Sequence, residues 1–319
     1  YPFLLVFVAQ ILSESVRTFC LAQGLESTLS NISIVNNIIS MFTNWYFIVW
    51  LNLGLKGWVY CDLIFETINL LAGLWVMREA QDGTVGFASI RDILDGFGSY
   101  FCESIKFMLG TYGEYIGFEL TSIYIARLGN NDHIGAYSCM VNFANTVYRV
   151  GLTFSIACRT RINILIGAKH HKVAKNFFKF FLAAAFLFGI FFGIVVYLCR
   201  SYLTKLYANS TEEMSRTFKN LLLVYSISIP SETTLYSSYV GMKTTGNMTL
   251  LLILNVIIVI GLNGTIGWYL GAHGYPPAYL FLFLMSLLWV VNFISAVYSI
   301  AFADWSKIKL DDEEKQTLL

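Results

Sequence analysis

The stretch FMLGTYGEYIGFELTSIYIARLG, residues 107–129, carries two glutamates, Glu114 and Glu119, inside a run of mostly apolar and small residues. A carboxylate in hydrocarbon costs on the order of a few kcal/mol on insertion scales, so acids placed there are candidates for function. The chemistry open to them is to bind and release protons or to hold a cation. On an ideal helix the two stand about 140° apart. Both reach one cavity only if that cavity is wide or the helix bends, and Gly110, Gly113 and Gly117 permit a bend or close packing. The competing reading is that each glutamate only hydrogen-bonds a neighbouring helix. Glu14 and Arg17, at i and i+3, read as a mutual pair. The histidines (His133, His170, His171, His273) and cysteines (Cys20, Cys61, Cys102, Cys139, Cys158, Cys199) fall in no ligand spacing. No metal site is expected, and the cysteines read as small packing residues.

The elements that position these acids must be membrane helices. The 319-residue chain is 56% hydrophobic and 13% charged, about half the charge of a soluble domain. A net charge of +1 argues against nucleic acid as a partner. Apolar runs near 20 residues, the length that crosses about 30 Å of hydrocarbon, fall at roughly 2–23, 31–53, 58–77, 104–127, 133–157, 176–199, 217–241, 248–270 and 277–302. The fold class expected is therefore all-α, a polytopic transmembrane bundle of about nine spans. Residues 78–103 are too charged to cross and read as a linker with a short surface helix at Ile90–Phe97; 304–319 reads as a polar tail. Arg159, Arg161, Lys169, Lys172, Lys175 and Lys179 cluster after the fifth span, which places that connection, the linker and the C-terminus in the cytoplasm. Asn209-Ser210-Thr211, a glycosylation sequon, then falls outside or in a lumen. In the tail, Glu314, Leu318 and Leu319 fit an acidic dileucine sorting signal, which would direct the protein to endosomes, lysosomes or vacuoles.

The chain also repeats part of itself. Around the second and eighth spans it runs from a Gly-containing turn (Gln23-Gly24; Thr245-Gly246), through spaced asparagines (Asn37 and Asn44; Asn255 and Asn263), to LGxxG (Leu53-Gly54…Gly57; Leu270-Gly271…Gly274). Such repeats are typical of secondary transporters. If spans one to three correspond to seven to nine, spans four to six lack an upstream counterpart and about three helices are expected ahead of Tyr1.

The order of motifs resembles the MATE (multidrug and toxic compound extrusion) family, its eukaryotic branch above all. Glu114 and Glu119, five apart and followed by Leu128-Gly129, match the seventh span of the family. Tyr148, Arg161 and Ile166-Gly167-Ala168 match the eighth, and Glu232, Lys243, Gly246 and Asn247 in SETTLYSSYVGMKTTGN match the tenth. FCLAQG resembles the end of the fourth. Three family prolines are replaced, by Phe107, Gly151 and Asn263. The resemblance implies that 1–77 are the last three helices of an N-terminal lobe, 78–103 a cytoplasmic linker, 104–303 a complete six-helix C-terminal lobe and 304–319 a cytoplasmic tail. It implies a transporter, not an enzyme, exporting small organic cations against protons, or sodium, by rocking two lobes about a cleft. Glu114, Glu119 and Glu232 would bind proton and substrate, with Tyr148 and Asn142 orienting them. No cofactor is expected. Partners would be the lipid bilayer and the substrate, with a membrane protein covering an incomplete first lobe as a further expectation. The membrane would be the plasma membrane or a lysosome- or vacuole-type endomembrane of a eukaryote. The alternative kept open is a structural or accessory membrane subunit descended from such a transporter.

Overall fold

The computed structural model describes residues 2–22, 25–80, 94, 97–208 and 210–305. Among these residues the chain is helical with no strand, and it divides into two compact units at Asp95/Gly96. The helices are α1 (Pro2–Ala22), α2 (Glu26–Trp45, extended by a π-type turn at Tyr46–Trp50) and α3 (Gly54–Ala80) in the first unit. The second unit holds α4 (Phe97–Arg127), α5 (Asn131–Gly167), α6 (His171–Tyr207), α7 (Glu212–Thr244), α8 (Met248–Ala272) and α9 (Pro277–Val297, extended to Phe302). Asn209, the sorting residues Glu314, Leu318 and Leu319, and most of the expected linker helix lie outside the described residues.

In the first unit α3 is the hub. Gly73 lets α1 close on it, since a Cβ there would stand 2.8 Å from Val16 Cγ1, and Ser13 Oγ donates to Glu66 Oε2 (2.7 Å). Asn36 of α2 donates to the Phe65 carbonyl (3.2 Å) and to Asn69 Oδ1 (2.7 Å). Such interhelical amide bonds supply specificity where lipid removes the hydrophobic driving force. Glu14 and Arg17 pair at 3.5 Å, both exposed.

In the second unit the hub is α7, wrapped by α5, α6 and α9. Every residue from Ser228 to Met242 is buried, although the run is rich in Ser, Thr and Tyr. Small residues make this packing feasible: a Cβ at Gly189 would meet Pro230 Cα at 2.6 Å, and one at Gly193 would meet the Ser226 carbonyl oxygen at 2.5 Å. Pro230 leaves the Ser226 carbonyl without its usual helical donor, and the Thr233 and Thr234 hydroxyls fold back onto the Ile229 and Pro230 carbonyls of the following turn. The two helix triplets expected to correspond share a packing pattern. Within each triplet the first helix packs on the third and barely touches the second, and the middle helix carries π-type winding, at Tyr46–Trp50 and at Asn255–Gly267.

Two expectations shift. The basic cluster is not a loop: α5 and α6, at 37 residues each, are about 55 Å long and carry Arg159, Arg161, Lys172, Lys175 and Lys179 on helix ends. Only Ala168–His170 form the turn, with Lys169 at φ +60°. Helices α3 and α4 likewise run into the segment expected to be a linker, ending at Ala80 and starting at Phe97.

Candidate functional site

Glu232 is set by α7 and its neighbours. It lies two residues after Pro230 where α5 approaches closely, for a Cβ at Gly151 would stand 3.1 Å from the Glu232 carbonyl oxygen. Glu114 is set by α4, which α8 holds on both sides of it. Asn255 Nδ2 donates to the Gly110 carbonyl (2.7 Å) and Asn263 Nδ2 to the Gly117 carbonyl (3.0 Å). A Cβ at Gly113 would stand 2.7 Å from that of Asn255, and one at Gly117 would stand 2.7 Å from Leu284 Cδ1. The glycines therefore serve close packing, and α4 remains one continuous helix. Asn263, at a position where the resemblance leads one to expect proline, sits in the π-type stretch of α8, a winding that is often found at functional sites.

Across the bundle, Tyr236 Oη donates to Glu114 Oε2 at 2.7 Å. Its ring packs edge-on against Tyr148 (4.8 Å) and Tyr239 (5.7 Å), and Tyr148 packs against Tyr115 (6.0 Å). Glu114 and Glu232 are 3% and 8% exposed; Glu119 is exposed. The first two share a narrow slot of about 10 Å³ with Phe118, Ser228 and Ser231, close to the least volume that holds one water. They also share a recess of about 80 Å³ with Glu119, Tyr115, Asn145 and Tyr148. No basic side chain lines either space. Glu232 Oε2 is buried and has no hydrogen-bond partner among the described residues. What the arrangement can do chemically is exchange protons for a cation; among the described residues no group of histidine, cysteine and carboxylate could hold a metal ion.

The structure thus brings Glu114, Glu119, Glu232 and Tyr148 together and leaves Asn142 out. Asn142 is exposed, and Asn145, one turn on, lines the recess in its place. Tyr148 and Asn142 are six residues apart, about 240° around the helix, whereas Asn145 and Tyr148 share a face. Tyr236 and Ser231 also belong to the site without having been candidates. The signal that marks Glu114, an acid inside an apolar span, also marks Asp62 and Glu66 one turn apart on α3.

The family profile described as MatE matches residues 108–269, just over half of the chain. The chain belongs to the MatE family. It is 26% identical over 219 residues to Protein DETOXIFICATION 53 of Arabidopsis thaliana, covering 66% of this chain and 45% of that protein. It is 24% identical over 248 residues to human Multidrug and toxin extrusion protein 1, covering 76% and 43%. The chain therefore spans less than half the length of these two relatives. Its fold superposes on the eukaryotic MATE transporter AtDTX14 with a TM-score of 0.79 at 17% identity, covering 92% of this chain and 66% of the other. On the Vibrio cholerae MATE transporter VcmN in the bent form the TM-score is 0.71 at 16% identity, with 93% and 67% covered. The acidic recess lies within the part of the chain that the MatE profile matches. The chain is a multi-pass helical membrane protein.

Proposed function

We propose that this MatE-family chain handles protons and organic cations in a secondary transporter that exports the cation by alternating access. The observation that carries the proposal is the convergence of Glu114, Glu119 and Glu232 on one recess that no basic residue lines. Negative charge there must be matched by a proton or by a bound cation, so the two compete for the same carboxylates. That competition is what couples their fluxes, because each ligand shifts the protein toward the state that binds it. The aromatic wall of Tyr115 and Tyr148 suits an organic cation, and a proton is the coupling ion of this reading. Placement in a lysosome- or vacuole-type membrane, resting on Glu314, Leu318 and Leu319, would supply the pH gradient; replacing both leucines with alanine should then move a tagged protein to the cell surface.

The experiment is uptake of radiolabelled tetraethylammonium into liposomes that hold the purified chain, driven by an imposed pH gradient. Wild type should accumulate the cation, and Glu119→Gln and Glu232→Gln should not, with unchanged melting curves. Equal accumulation by both variants refutes the coupling role. An inert wild type favours the structural subunit instead.

A further inference from the structure

One face of α6 is basic at the start of the helix and then turns apolar. Lys172, Lys175 and Lys179 stand at i, i+3 and i+7, within about 60° of one another around the helix. The same face continues as Leu182, Ala183 and Phe186, which line a groove of about 160 Å³ against Trp289 and Phe293 of α9. Phe186 and Trp289 meet edge to face at 6.2 Å. Phe293 is exposed, so the groove opens outward. Like charges at the lysine spacing repel, and nothing on the helix offsets them, because residues 171–207 contain no acid. Among the described residues none of the three lysines has an ion-pair or hydrogen-bond partner. Asp304, beside Trp305 whose ring packs on Phe178 at 5.4 Å, brings one negative charge to this end of α6. It cannot balance three.

We propose that this face seats an anionic phospholipid, with its headgroup on Lys172, Lys175 and Lys179 and one acyl chain in the groove between α6 and α9. The depth is right for a headgroup. The apolar span of α6 starts near residue 176, so Lys175 stands at the hydrocarbon edge and Lys172 about 4.5 Å further out. Lys179, one turn inside, reaches the same level by extending its stem along the helix. Positive-inside bias counts charges on one side of the membrane and does not ask them to share a helix face, still less one that leads into an apolar groove. A zwitterionic headgroup brings a cation of its own to three that already repel, and a soluble anion leaves the groove unfilled. The same bias assigns this end of the bundle to the cytoplasmic leaflet, where anionic lipids collect. Trp289 lines both this groove and the slot that holds Glu114 and Glu232, so the acyl chain lies against one wall of the acidic site.

The test places the full chain in phosphatidylcholine nanodiscs doped with a trace of phosphatidylserine or phosphatidylcholine that carries a diazirine in its acyl chain. Labelled peptides are mapped and quantified by mass spectrometry. Labelling of residues 182–186 and 289–296 by the phosphatidylserine probe should exceed that by the phosphatidylcholine probe by about fivefold or more, fivefold being what a single lysine near an anionic surface supplies. Replacing Lys172, Lys175 and Lys179 together with glutamine should remove the excess. Replacing Arg159, Arg161 and Lys169 together with glutamine takes as many charges from the same end of the bundle but none from the α6 face, and it should leave the excess in place. None of the six side chains is buried, so both variants should fold. Equal labelling by the two probes overturns the proposal, because the groove then takes any acyl chain. An excess lost equally in both variants overturns it too, since a diffuse field and not this face would then select the lipid.

Discussion

At the residue scale the site is a set of carboxylates of which Glu114 is held by a tyrosine donor, and that holding is specific enough to test. Tyr236 fixes Glu114 through one hydrogen bond of 2.7 Å, and a bond to a charged group contributes about 1.5–3 kcal/mol. Tyr236→Phe keeps the ring packed against Tyr148 and Tyr239 and removes only that bond. It should weaken binding of an organic cation by about tenfold, measured by titration calorimetry in detergent; unchanged affinity would mean that Tyr236 serves packing alone. Glu114 and Glu119 were legible in the sequence as acids inside an apolar run, whereas Glu232 stands in a polar one and was legible only through the resemblance of its motif to the family's tenth span. Tyr236 and Asn145 were not. Tyrosine in a helix bundle is as often packing as function, and the choice between Asn142 and Asn145 depends on helix phase relative to Tyr148, which a list of polar residues does not convey.

At the scale of elements, the bundle depends on helices that approach within the radius of a side chain. Gly189 faces Pro230 and Thr233 of α7, where backbone atoms cannot yield. Gly189→Ala should therefore cost about 1–3 kcal/mol and lower the melting temperature in detergent. Gly167→Ala, where nothing stands within 4 Å of the added Cβ, should be neutral by the same measurement. Just beyond the expected span, burial pushes Lys243 down from its ordinary 10.5 to about 8, with the Arg159 guanidinium adding to the effect. The unfolded chain binds that proton more tightly, so the lysine costs stability below about pH 8 and the cost fades between pH 8 and 10.5. Lys243→Gln should melt higher than wild type at pH 7 and no higher near pH 10.5; a difference that persists at pH 10.5 would point to a cause other than protonation. The apolar runs located the helices well, because hydrocarbon thickness sets their length. They missed the ends of α5 and α6, since basic residues read as loop whereas helices continue through the headgroups. The π-type winding of α8 left no trace in the sequence, because its residues NVIIVIGLNGTIG would suit an α-helix equally. The buried face of α7 was partly hidden as well: SETTLYSSYV is polar enough to suggest water, yet it sits at the centre of the bundle.

At the scale of the whole molecule, the recess that Glu114, Glu119 and Glu232 share in the second unit is acidic. Under the proposed function a proton and a cation compete for the Glu114, Glu119 and Glu232 carboxylates, so binding of one should displace the other. The most direct measurement of this claim does not require flux across a membrane. Purified chain in weakly buffered detergent at neutral pH is mixed with tetraethylammonium, and a pH-indicator dye reports proton release. About one proton should be released per cation bound, and Glu232→Gln should abolish that release. Binding of the cation by wild type with no proton release, or with release that survives Glu232→Gln, would contradict the account.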